Sequence, residues 1–168
     1  MSGILGKRPM ILLTVGTQLP FDRLVKAVDE IAPSLNEEIF GQIGKEGYRP
    51  KNLEYCEEMA PREFERRLGL ARVILSHAGI GTMLTARRIG KPIILFPRQA
   101  KFGEHRNDHQ IATSKQMEGR PGIYVAYDTI QMEAMMRADR LDAPLSVDES
   151  PNRAKLIKKL QHLMALNK

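Results

Sequence analysis

Three loops of this chain carry residue types that handle phosphate, sugar hydroxyls or protons. Ser76-His77-Ala78-Gly79-Ile80-Gly81-Thr82 stands between an apolar run and a helical pattern. Glycines at 79 and 81 let backbone N–H groups approach a ligand at the positive end of the following helix. Thr82 adds a hydroxyl, and His77 a proton donor or a cation near developing charge. The same glycines suit a bare strand-to-helix turn. Gly-x-Gly without a third glycine is a weak phosphate signal, and Leu84 occupies the third place. Val15–Pro20 (VGTQLP) is a second Gly-Thr turn, in which Gly16, Thr17 and Gln18 offer donors to the same anion; alone it too reads as a turn. The third loop runs from Pro97 to Gln110. It crowds together Arg98, Lys101, Glu104, His105, Arg106, Asn107, Asp108, His109 and Gln110, groups of the kind that bridge vicinal hydroxyls.

His105 and His109 have the i, i+4 spacing of metal ligands on one helix face, but no third ligand stands at motif spacing and no metal is expected. Cys56 is the one cysteine. No histidine pairs with it by spacing, so it reads as a small buried hydrophobe rather than a nucleophile. A lone cysteine excludes an internal disulfide and fits a reducing compartment. The 26 Lys+Arg against 20 Asp+Glu give a net charge of +6, which suits an anionic ligand, membrane surface or nucleic acid without choosing among them. Aromatic residues are 5% and Trp is absent, which argues against a stacking platform for single-stranded nucleic acid. No stretch has the ~18 apolar residues of a membrane span, and the first residues do not form a signal peptide. A cytoplasmic protein is expected, with any membrane attachment made through a surface or a partner.

Apolar strands alternate with helices along the chain. Strands are expected at Met10–Val15, Glu38–Ile43, Leu53–Cys56, Arg72–Leu75, Pro92–Phe96 and Ile123–Ala126. Helices are expected after Pro20, over Pro61–Leu70 and Gly79–Ile89, from Asn107 or Asp108 to Met117, and over Thr129–Arg137. That alternation predicts an α/β fold: a doubly wound, mostly parallel Rossmann-like sheet of about six strands covered on both faces. Ligands of such sheets bind beyond the carboxyl ends of the strands, where every suspicious loop falls. Residues 1–150 read as this domain. Residues 151–168 read as a C-terminal helix with an apolar stripe at Leu156, Leu160, Leu163 and Met164, which either packs on its own sheet or docks a partner.

Together "ILLTVGTQLPFDRLVKAVD", "EYCEEMAPREFERRLGLARVILSHAGIGTMLTARRIGKPIILFPR" and "EHRNDHQ" resemble the donor-binding C-terminal domain of GT-B glycosyltransferases. The resemblance covers about Ile11 to Met117. It is greater still to the group in which this domain stands alone, as in split UDP-GlcNAc transferases and bacterial exopolysaccharide glycosyltransferase subunits. The resemblance implies half of a GT-B fold and inverting transfer of glucose or GlcNAc from a UDP-sugar to a lipid-linked acceptor. A membrane-associated subunit would supply the acceptor-binding half, placing the chain at the inner face of the membrane. By the same resemblance Tyr55 and Cys56 hold uracil, and Gly79, Gly81 and Thr82, after Ser76, hold the diphosphate. Gly16 and Thr17 face the reaction centre, and His109 and Gln110, following Asn107, touch the donor sugar. His77 is the tentative catalytic group. Many relatives carry a glutamate near position 85 to grip the ribose; Thr85 stands here, so that either Glu104 takes over the ribose or the ribose is held more weakly. No metal or other cofactor is implied.

Two other readings compete with this one. A non-catalytic nucleotide-binding or regulatory subunit of the same fold would keep the loops without turnover. A nicotinamide-dependent oxidoreductase would need the third glycine and an acidic residue at the end of the second strand, where QIGKEG stands.

Overall fold

The structure is a computed structural model that describes residues 9–145 and, beyond them, Lys155 and Lys158. The helix expected over residues 152–166, with its apolar stripe, lies otherwise outside the described residues. Six strands form one sheet: β1 (Met10–Thr14), β2 (Glu38–Gln42), β3 (Glu54–Cys56), β4 (Val73–Ser76), β5 (Ile93–Leu95) and β6 (Ile123–Val125). Their order is β3-β2-β1-β4-β5-β6 and every pairing is parallel. This is the arrangement of a doubly wound sheet, with the switch point between β1 and β4.

The central strands are apolar on both faces because helices cover both. Ile11 and Leu13 pack into one core with α1 (Asp22–Ile31) and α5 (Thr129–Met136). Leu12 packs into the other with α2 (Pro61–Leu70) and α3 (Ile80–Arg88). A continuous apolar run rather than an alternating one is the signature of a strand buried on both sides. In α1 the residues Phe21, Leu24, Val25, Val28 and Ile31 are all buried, as their helical spacing requires, and Pro20 lies just before the helix. α3 ends where Gly90 takes φ +69°, the left-handed conformation that closes helices. α4 (His109–Met117) follows a short 3-10 turn at Ala100–Phe102. All the expected strands and helices of residues 9–145 are present, with ends that coincide or move by one or two residues.

Candidate functional site: a polar cleft over the switch point

A cleft of about 810 Å³ opens at the carboxyl edge of the sheet. The β1–α1 turn contributes Gly16, Thr17 and Gln18, and the β4–α3 turn contributes His77, Gly79, Gly81 and Thr82. Gln110 reaches in from the start of α4. These expected residues, distant in sequence, meet at one place because β1 and β4 are neighbours at the switch point.

The glycines have different reasons. A Cβ on Gly79 would lie 2.3 Å from His77 Nε2, and one on Gly16, whose φ is +82°, would lie 2.8 Å from His77 Cε1. The imidazole leaves no room for a side chain at either position, and both glycines line the cleft. A Cβ on Gly81 would meet nothing within 4 Å, so the cleft beside it is open. The side chain of no residue caps α3, so the first N–H groups of this helix are left for an anion.

His77 is not the cation that the sequence suggested. Burial first, and the charge of Arg98 second, push its pKa down to about 4, with contact to the Thr14 main chain pulling the other way. The ring is therefore neutral at pH 7. Ser76 is wholly buried beneath it, with Oγ 3.3 Å from His77 Nδ1, and does not reach the cleft.

Glu104 is also corrected. Its carboxylate is taken by Arg23 Nε and Nη2 at 2.6 and 2.9 Å and by the Gln99 N–H at 2.9 Å, which fixes the β5–α4 loop and leaves nothing for a ribose. Asn107 and His109 face outward and pair with each other, His109 N–H and Nδ1 both meeting Asn107 Oδ1. Gln110, in contrast, is buried, and its Oε1 accepts the Arg98 N–H at 3.1 Å. Its Nε2 has no partner among the described residues and is the group it offers to the cleft. His105 and His109 stack edge to face at 4.3 Å between centroids, and among the described residues no third carboxylate, thiol or imidazole joins them.

Tyr55 and Cys56 are set back from the cleft on the edge strand β3, whose main chain is engaged with β2: the Cys56 carbonyl accepts the Ile43 N–H. Burial pushes the Cys56 thiol up, away from thiolate chemistry. The wall on that side comes instead from Glu58, Met59, Pro61 and Phe64.

Gln42 lines the cleft without having been singled out in the sequence, and Arg98, noted there only as one polar group of the third loop, is a buried anchor of the site. Arg98 is 3% exposed. Its guanidinium donates to the carbonyls of Pro20 (2.5 Å), Leu19 (2.7 Å) and Val15 (3.0 Å). Gln42 accepts the Thr14 hydroxyl and donates to the carbonyls of Gly16 and Glu57. One signal was available for Gln42: a polar residue at the carboxyl end of strand β2.

The sequence profile of the glycosyltransferase family 28 C-terminal domain matches residues 10–137. The chain belongs to this family. Among curated proteins it is similar to "UDP-N-acetylglucosamine transferase subunit ALG13" of Yarrowia lipolytica (strain CLIB 122 / E 150), 27% identical over 139 residues. That match takes in 71% of this chain and 66% of that protein, so the chain spans just under two thirds of its relative's length. The NMR solution structure of ALG13 aligns at TM-score 0.57 and 17% identity, over 92% of this chain and 96% of that one. The Streptomyces sp. SF2575 glycosyltransferase SsfS6, complexed with thymidine diphosphate, aligns at TM-score 0.57 and 19% identity, over 79% of this chain and 34% of that one. These two likenesses establish the fold: the family domain is the sheet described above, and the cleft occupies its switch point.

Proposed function

We propose that the chain is the donor-binding, catalytic subunit of an inverting glycosyltransferase that uses a UDP-sugar and completes its site with a membrane-associated, acceptor-binding partner. The observation that carries this is the convergence of the β1 and β4 turns and Gln110 on one cleft at the switch point. The relative named as a UDP-N-acetylglucosamine transferase subunit supports both the donor and the split organisation. The neighbour solved with thymidine diphosphate supports a nucleoside diphosphate.

In this reading the diphosphate lies at the N-terminus of α3, against Gly81 and Thr82. As the bond to the sugar breaks, charge grows on the leaving oxygens. The helix N–H groups and the Thr82 hydroxyl stabilise it from fixed positions. His77, with a pKa near 4, serves as a neutral group and is too weak a base for the acceptor alcohol; that proton falls to the partner subunit. Gln110 Nε2 faces the sugar, and Glu58, whose Oε1 lies 3.2 Å from Lys45 Nζ, is the carboxylate of the cleft wall on the ribose side. No metal takes part. The acceptor is a lipid-linked sugar, as in exopolysaccharide or glycolipid assembly.

Calorimetry with UDP, GDP and NAD, each with and without EDTA, tests the donor. UDP is expected to bind best and to be indifferent to chelation. Preference for GDP or NAD, or loss of UDP binding with EDTA, overturns the reading.

A further inference from the structure

We propose that Arg98 is a positioning residue of the donor site: it draws the carbonyls of the β1–α1 turn to one side and so leaves the turn's N–H groups for an anion. The proposal rests on the donor-site reading above for the identity of that anion.

The turn runs Val15-Gly16-Thr17-Gln18-Leu19-Pro20. Four of its carbonyls are bound from beneath, those of Val15, Leu19 and Pro20 by the Arg98 guanidinium and that of Gly16 by Gln42 Nε2. The N–H groups of Thr17, Gln18 and Leu19 have no partner among the described residues, and all three residues line the cleft. Peptide units whose carbonyls are held on one side present partial positive charge on the other, as anion-binding nests do. The guanidinium suits the task because its planar, forked donors serve several acceptors at fixed angles.

Arg98 is anchored in turn. It is 3% exposed, lies over the Phe21 ring with 4.5 Å from Cζ to the centroid, and holds Gln110 through its own main-chain N–H. Its nearest acidic neighbour, Glu104, is already engaged by Arg23. A buried cation whose donors go to neutral carbonyls keeps most of its charge for its surroundings. That charge adds to burial, the larger cause, in keeping His77 neutral. One residue therefore holds the carbonyls of the β1 turn through its side chain, seats Gln110 through its main chain and adds to the burial that keeps the β4 histidine neutral.

Arg98→Lys keeps the charge and loses the fork; Arg98→Met loses both. The nucleotide-free proteins are compared by amide exchange and by NMR titration of the His77 ring, and then titrated with UDP. In Arg98→Lys the Thr17–Leu19 amides are expected to change in shift and exchange, UDP to bind about 10-fold more weakly, and the His77 midpoint to stay low. In Arg98→Met the His77 midpoint is expected to rise. Unaltered turn amides together with wild-type UDP affinity in Arg98→Lys overturn the proposal; should Arg98→Met not fold, this variant alone decides. Failure of the wild-type protein to bind UDP overturns the donor reading instead. The positioning role is then decided by the turn amides and the His77 midpoint, which need no nucleotide.

Discussion

At the scale of single residues, Gly79 and Gly81 look alike in the sequence and differ in what surrounds them. A methyl at 79 meets the His77 ring, whereas one at 81 meets open cleft. Gly79→Ala is thus expected to lower thermal stability, and Gly81→Val to leave the melting temperature within a few degrees while reducing UDP affinity by at least ~10-fold. Calorimetry and circular dichroism on both separate the two roles; wild-type UDP binding by folded Gly81→Val would make that glycine a turn residue only. His77 makes a second prediction. Its pKa lies below the unfolded value of 6.5, at about 4, so the unfolded chain takes up the proton first. Stability is full above about 6.5 and falls as the pH drops towards about 4. His77→Gln is expected to flatten that part of the curve in urea unfolding measured from pH 7 to 4.

At the scale of elements, one buried carboxylate fixes a whole connection. Asp29, on α1, is 2% exposed and accepts the main-chain N–H groups of Lys51 and Asn52 and the hydroxyl of Tyr48. Burial alone would raise its pKa, but these donors together outweigh it and hold the carboxyl below its ordinary value. Asp29→Asn is expected to cost ~2 kcal/mol in urea unfolding and to change UDP affinity less than about twofold, because the β2–β3 connection lies off the cleft. Such a contact is invisible to periodicity: Asp29 falls among the apolar positions of α1, and its partners are some twenty residues away. The strands and helices were legible because each is a short apolar run or a 3.6-period stripe ended by glycine or proline. The cleft was legible as far as loops at carboxyl ends can show it. What the sequence hid was direction. His109 and Gln110 are adjacent, yet one faces solvent and the other the cleft. Glu104 is a free carboxylate on paper and an ion-paired one in the fold.

At the scale of the whole molecule, the cleft has one finished side. The turns at the sheet's carboxyl edge line it on one side, and among the described residues no second domain closes over it. Among them no helix is long and apolar enough to cross a membrane. In the proposed function the acceptor site and the membrane contact belong to the partner. Truncation after Ser150 is expected to retain UDP binding and to abolish capture by the candidate membrane subunit, read by pull-down and calorimetry. Continued association with normal turnover would place the joint elsewhere. Unfolding of the shortened chain would show that residues 151–168 pack on their own sheet.

Strand order also sets a timetable. β1 is made first but sits in the middle, with Ile11 opposite Ile39 on one side and Val73 on the other. During synthesis its second edge stays open until β4 has been made, and Ile11, Leu12 and Leu13, wholly enclosed at the end, are exposed meanwhile. Parallel pairing over such separations is slow, and an unpaired apolar edge is what captures other chains. The placement of strands that creates the cleft thus leaves the nascent and refolding chain open to capture by other chains, and refolding yield is expected to fall as protein concentration rises.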